Sequence, residues 1–289
     1  MKPGVYELPM DEYRADPCEE PSLSHSIAKI LLAESPAHAR KLHPRLNGGH
    51  FPPHRKTFDL GTAMHAYFLE GEDVVVRVPA KDFKTHIAQA LRDQAYADGK
   101  IPLSQPEQER FAAAMESLHR AIGRLVDSRP PFCDGQPERT LIWQEPSGVW
   151  CRARPDWLRS DCRTMDDLKI VGGSANTGTA PGQFGRAVFA LGHDIQAALY
   201  RRGARALGLG DPQFRFVAFE LKKHECTLSR LSAAGMAVAD SKVERAIRIF
   251  GECLEADRWP GYANTVQDIE PPAYEIALEE AEAAALEGY

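Results

Sequence analysis

The sequence predicts an α/β (α+β) protein in which a small central mixed sheet is flanked by helices, preceded by a helical N-terminal region. Three observations lead there. Apolar residues recur at helical spacing before residue 126 and again after residue 183. Between them lie three short segments rich in β-formers, separated by turn-like pieces. One further β-rich segment then sits between two helical ones, the alternation of layered α/β folds.

The elements follow in order. Residues up to about Pro21 are Pro-rich and acidic and read as an extended arm. Ser24 is placed to cap a helix carrying Ile27, Ile30 and Leu31 on one face, and Ser35-Pro36 ends it and opens a second short helix. Leu42 to Arg55, with Gly48-Gly49 and Pro52-Pro53, reads as a loop. Helices are expected from about Thr57 to Glu70 and from about Pro106 to Val126. Strands are expected at Thr140–Gln144, Val149–Leu158 and Thr164–Ile170, the first two joined by a turn at Pro146-Ser147-Gly148. A Gly-rich loop, Gly172 to Gly182, leads into a helix from about Gln183 to Leu207. A strand (Phe214–Leu221), a long helix (about Leu228–Leu254) and a short surface helix after Pro272 complete the chain.

With 289 residues and 43% hydrophobic content, the chain can fill a core. No run approaches the roughly 18 apolar residues of a membrane span, and the N-terminus lacks an apolar signal core, so a cytoplasmic protein without membrane contact is expected. The six cysteines include no C-x-x-C pair and read as reduced thiols, neither a disulfide framework nor a zinc site. The net charge of −6 does not decide for or against DNA, because metal-binding carboxylates add negative charge and a DNA groove needs only a local basic stripe.

The chemistry concentrates between Arg154 and Lys169. Asp156 and Asp167 fall at or near the ends of adjacent expected strands, and Lys169 follows two residues after the second. Strand side chains alternate, so Asp167 and Lys169 share one face while Leu168 and Ile170 point into the core. Asp166 shares the face of Leu168, which favours Asp167 as the functional acid. Pro155 implies a bend or bulge that aims Asp156 out of the sheet. Two neighbouring aspartates repel unless a hard divalent cation lies between them, and a lysine beside them is placed to orient water or balance phosphate charge. Asp167-x-Lys169 alone is a common triplet of surface charges; its surroundings decide its meaning.

Those surroundings match at four places. Arg154-Pro155-Asp156 with Asp167-Leu168-Lys169 resembles the PD-(D/E)XK nuclease core. Gly61-Thr62-Ala63-Met64-His65, Gly192-His193-Asp194-Ile195-Gln196-Ala197-Ala198-Leu199-Tyr200, and the opening Leu23-Ser24-His25-Ser26 and Ser35-Pro36-Ala37-His38 resemble motifs of the exonuclease VIII (RecE-like) family of phage and prophage recombination nucleases. Ile170 departs from the threonine usual in that family, and Asp166 doubles the acid. The resemblance divides the chain into an N-terminal arm with short helices (1–55) packed on a nuclease domain (56–289).

It implies a Mg²⁺-dependent exonuclease on linear double-stranded DNA ends, 5′→3′, in a phage-type recombination system of a bacterial cytoplasm. One or two Mg²⁺ ions, with Mn²⁺ able to substitute, would be held by Asp156, Asp167, His65 and the Leu168 carbonyl. Lys169 would position water, and Gln196 and Tyr200, four apart on one helix face, would complete the phosphate site. A RecT-like annealing partner and a ring-shaped homo-oligomer, trimer or tetramer, are further implications. Arg152 and Arg154, on the face of Asp156, and Arg201, with Arg202 and Arg205, form a candidate DNA-facing stripe. Glu145 reads as a solvated hairpin charge or a water-mediated metal contact, and Glu220 as one half of an ion pair. A RecB- or Cas4-like nuclease on single strands is an alternative; the scattered cysteines lack the iron–sulfur pattern of the Cas4-like kind. A catalytically inactive DNA-end-binding protein is another, against which the intact Asp156, Asp167 and Lys169 stand.

Overall fold

The computed structural model describes residues 1–48, 60–71, 74–172 and 178–287. The N-terminal arm is more ordered than its composition predicts. It forms β1 (Gly4–Glu7), α1 (Met10–Arg14) and β2 (Ser22–Leu23). Ser24 and Ser35 then accept the N–H groups of Ile27 and His38, capping α2 (His25–Ala33) and α3 (Pro36–Leu42) as expected. The expected loop to Arg55 and the start of the next helix at Thr57 fall partly outside the described residues, where α4 is seen over Leu60–Glu70. Next come β3 (Val75–Arg77), α5 (His86–Ala97) and β4 (Ile101–Leu103), a region whose mixed pattern gave no expectation. The parallel β3–β4 pair forms a separate small sheet. Glu107 accepts the Ser104 N–H at 2.8 Å at the start of α6 (Gln105–Gly123).

The central strands follow: β5 (Gly135–Pro137), β6 (Arg139–Gln144), β7 (Trp150–Ala153), β8 (Trp157–Arg159) and β9 (Thr164–Val171). Beyond the Gly172–Gly182 stretch, of which 173–177 lie outside the described residues, come α7 (Pro181–Ala190) and α8 (His193–Ala206). The single helix expected over Gln183–Leu207 is therefore two. Gly192 breaks it at φ +74, a left-handed backbone that suits glycine. The chain then forms β10 (Gln213–Glu220), β11 (Glu225–Ser229), α9 (Ala233–Glu255) and α10 (Ala273–Glu287). Leu228, expected to begin the long helix, pairs instead with Val217 in the β10–β11 ladder, and Ser232 caps α9.

Two sheets share this core. One has the order β1-β6-β7-β2 and the other β11-β10-β9-β8-β5, with β9 and β10 parallel. The expected strand Val149–Leu158 is split between them: β7 belongs to the first sheet and β8 to the second. The break falls at Arg154-Pro155-Asp156, where proline supplies no N–H to a ladder.

Alternation along β10 divides the interior. Phe214, Phe216 and Ala218 join Met165, Ile195, Leu199, Val243 and Phe250 on the side of α8 and α9. Val217 and Phe219 join Leu168, Met64, Phe111 and Leu118 on the side of α4 and α6. Helices therefore cover both faces of β9 and β10, as the sequence predicts. Helix α8 approaches β6 so closely at Gly203 that a Cβ there would lie 2.6 Å from the Trp143 ring.

Candidate active site

The site arises where β8 and β9 part. Their antiparallel ladder pairs Leu158 with Met165 and Trp157 with Asp166; continued by one step it would pair Asp156 with Asp167. Instead the Asp156 side chain enters the gap, and its Oδ2 accepts the Leu168 N–H at 2.7 Å. A carboxylate oxygen thus takes the place of a main-chain carbonyl at the end of the ladder. The same Oδ2 accepts from His65 Nε2 at 2.9 Å, across from α4. Burial pulls the His65 imidazole toward neutrality, but the charge and hydrogen bond of Asp156 outweigh it and raise its pKa to about 8.

Asp167 is fully buried on the opposite face of β9 from Asp166. Its Oδ1 accepts from Gln196 Nε2 at 2.6 Å, and Lys169 Nζ lies 2.6 Å from its Oδ2 and 3.1 Å from Gln196 Oε1. Burial and the neighbouring Asp156 charge push the Asp167 carboxyl up to about 6, against the pull of Lys169. Burial likewise opposes ionisation of Asp156, yet His65 and Lys169 hold that carboxyl below its ordinary value. Repulsion between two adjacent acids drives such a separation.

Among the described residues, no three His, Cys, Asp or Glu side chains stand in a ready-made metal-binding arrangement. The donor set nevertheless fits a hard divalent cation. Asp167 Oδ2 is buried with the Lys169 ammonium at 2.6 Å as its partner among the described residues, and a second carboxylate adjoins it.

Sequence comparison agrees with this geometry. Residues 24–271 match the model of a family described as a PDDEXK-like domain of unknown function. The chain belongs to that family. This places it in the PD-(D/E)XK nuclease superfamily. The fold of this PDDEXK-like domain is also similar to the crystal structure of an exonuclease candidate from Eubacterium rectale, with a TM-score of 0.61 at 13% identity, covering 94% of this chain and 98% of that one. No curated protein is significantly similar in sequence.

The structure of the PDDEXK-like domain brings Asp156, Asp167, Lys169, Gln196 and His65 together, with the main chain of Leu168 beside both carboxylates. Tyr200 shares the inner face of α8 with Gln196, but its hydroxyl meets His25 Nδ1 at 3.2 Å, and burial raises its pKa well above the ordinary value.

The arginines do not form the expected stripe. Arg152 donates to Ser22 O and Oγ at 2.9 and 2.6 Å and lies 3.1 Å from Asp16. Arg154 is buried against Glu138 and donates to Leu8 O at 2.6 Å. Arg201 binds both carboxylate oxygens of Asp211 at 2.7 Å and Pro212 O at 3.0 Å. Arg152 and Arg154 turn inward because distant acids and carbonyls meet them there, while Arg201 is held near the surface by half-exposed Asp211. Arg202 and Trp143 hold Glu145, which is buried and not the solvated hairpin charge expected. Glu220 pairs with Lys223 at 3.0 Å, as expected, and accepts from Thr179.

Three neighbours of the site went unnoticed in the sequence. Glu138, at φ +54, places its N–H 3.1 Å from Asp156 O; burial, then the Asp156 charge, raise its pKa to about 7. His193 precedes Gln196 and Tyr200 by three and seven residues on the same helix, a spacing that marks it in retrospect. His25 lay within a matched motif without an assigned role.

Proposed function

We propose that this PDDEXK-like domain is a Mg²⁺-dependent exonuclease that degrades linear duplex DNA 5′→3′ and leaves 3′ single strands. The observation that carries the reading is the meeting of Asp156 and Asp167 at the parting of β8 and β9, with Lys169 beside them. The family membership and the fold of the Eubacterium rectale structure support the nuclease part. The motif resemblance supports the finer part: the RecE-like branch, the duplex end, the polarity, a RecT-like partner and a ring-shaped homo-oligomer.

Asp156 and Asp167 would hold the cation, with His65 and the Leu168 carbonyl as further ligands and Mn²⁺ able to substitute. When bound, it would lower the pKa of a water and neutralise charge on the phosphate. Gln196 holds both Asp167 and Lys169, so it sets the position of the ammonium relative to the carboxylates. From there Lys169 donates hydrogen bonds to the attacking water or to a phosphate oxygen. Before the cation binds, His65 orients Asp156 and, while protonated, balances its charge; to serve as a ligand it would give up that proton. Burial of the acids in a site walled by α4 and α8 strengthens each of these contacts.

Linear duplex labelled at the 5′ or the 3′ end, digested with Mg²⁺ beside closed circular duplex and single strands, tests this. Early release of the 5′ label from linear duplex alone is expected. Degradation of single strands only would replace the duplex reading, and absence of cleavage with Mg²⁺ or Mn²⁺ would remove the enzyme.

A further inference from the structure

Three side chains without a part in the proposed cleavage lie at the starts of α2 and α8, where His25 meets Tyr200 and the Lys169 charge reaches both histidines. His25 opens α2, Lys29 stands one turn further along it, and His193 opens α8 just after the glycine break. The Lys29 stem lies across Gly192; a Cβ there would be 3.1 Å from both its Cγ and its Cδ. With the Tyr200 hydroxyl donating to Nδ1 of His25, the ring hydrogen sits on Nε2, 3.3 Å from Ser26 Oγ.

His25 and His193 both feel the charges of Lys169 and Lys29. Burial first, then the charges of Lys169, His25 and Lys29, hold His193 down at about 3. Burial and Lys169 hold His25 at about 4, against the opposing charge of Asp156. Among the described residues the nearby carboxylates are engaged by other groups. Asp194, next to His193, is bound by Lys242 at 2.6 Å, and Asp156 and Asp167 are engaged by His65, Lys169 and Gln196. Lys29 has no ion pair among the described residues, although it is half-buried.

A half-buried lysine without an ion pair among the described residues, set beside two imidazoles, calls for an anion, and the site next to them is one that would handle a chain of phosphates. We propose that His25, Lys29 and His193 form a shelf that binds a backbone phosphate next to the scissile one. The proposal rests on the nuclease reading and adds a subsite to it. Lys29 supplies charge; each neutral imidazole supplies one N–H donor.

The test is fluorescence anisotropy of a short labelled blunt duplex, with a 5′-phosphate or a 5′-hydroxyl, in EDTA across a range of NaCl. Lys29→Ala is expected to weaken binding about threefold to tenfold and to reduce the slope of log K against log salt by about 1, with Lys29→Arg restoring both. His193→Gln, which keeps a donor, is expected to weaken binding less than His193→Ala. A loss seen only with the 5′-phosphate identifies a terminal phosphate, and an equal loss with both ends an internal one; each supports the shelf. Unchanged affinity and slope in Lys29→Ala and His193→Ala, with wild type binding and cutting normally, would overturn the shelf alone. A wild type that neither binds nor cuts the duplex would overturn the nuclease reading beneath it.

Discussion

Asp166 and Arg215 form a buried ion pair, Oδ1 to Nε 2.6 Å, on the face of β9 opposite the one that carries Asp167 and Lys169. Asp166 also accepts the Phe132 N–H at 2.9 Å, and Arg215 donates to Arg129 O at 2.6 Å. Adjacent acids in one strand thus serve opposite sides of the sheet, one joining elements and the other facing α8. Asp166→Ala is expected to destabilise the fold by about 2–4 kcal/mol, since it takes the nearer carboxylate from a buried guanidinium and leaves it Asp127 at 3.3 Å. Asp167→Asn should keep a native melting transition and lose at least about 10³-fold in cleavage rate. Equilibrium unfolding and a duplex digestion assay on both variants check the pair; the reverse assignment would show as activity surviving in Asp167→Asn.

Lys169→Ala is expected to lower the cleavage rate by about 10²-fold or more while leaving duplex affinity in EDTA within about threefold. Lys169→Arg should not restore the rate, because the guanidinium fork does not fit the compact triangle made with Asp167 and Gln196. Single-turnover kinetics beside binding measurements separates the two quantities.

Arg152 tests whether an arginine beside the site acts on DNA or on the fold. Arg152→Met should cost several kcal/mol, roughly 3–5, because Asp16 would keep a buried charge without its partner. The double variant with Asp16→Asn should recover part of that loss. The salt dependence of duplex binding should stay unchanged, and a slope reduced by about 1 would return Arg152 to the DNA-facing role.

The His43 contribution to stability should rise with pH between about 4 and 6.5, while Asp167 and Glu138, whose carboxyls are raised by burial, act in the opposite direction. His43 is fully buried; its Nε2–H donates to Ser22 O at 3.0 Å and its Nδ1 accepts the Arg45 N–H at 3.2 Å, so both nitrogens are used by the neutral ring. Burial first, opposed by Asp16 and aided by Arg152, lowers its pKa to about 4. The unfolded chain therefore takes up a proton in that window that the folded chain refuses, and its loss of stability is complete only below about 4. His25 and His193 act in the same direction. Urea midpoints at pH 4.5 and pH 7 should differ more in wild type than in His43→Gln; equal differences would remove His43 from the account.

The residues after Arg258 contain seven acids and no lysine or arginine, so without them the formal charge of −6 becomes +1. Helix α10 is exposed along its described side chains. Removing residues 264–289 should leave stability within about 0.5 kcal/mol and tighten duplex binding at low salt, with the difference shrinking as salt rises. Calorimetry and binding at two salt concentrations check both halves.

Much of this was legible in the sequence where the determinants are local. Period-2 alternation along Asp166-Asp167-Leu168-Lys169 selected the acid that joins Lys169, and Pro155 marked the turn that frees Asp156 from the sheet. The helices at Leu60–Glu70 and Gln105–Gly123 followed from apolar spacing. What failed to show depended on partners far along the chain. The inward course of Arg152 and Arg154 is decided by Asp16 and Glu138, which no local pattern links to them. The division of one expected strand between two sheets depended on which neighbours each half found. The break at Gly192 was readable in principle, but an isolated glycine in a helical pattern does not announce a left-handed residue.

The hydrogen bond between Asp156 and Leu168 has an evolutionary consequence. An aspartate that also ends a β-ladder answers to selection on folding as well as on chemistry, so a lineage that abandoned cleavage would still be penalised for discarding it. Among the described residues the Lys169 side chain has no comparable bond to the main chain. Decay of function in such a lineage would therefore be written first at the lysine, and the aspartate would persist as a fossil of the enzyme.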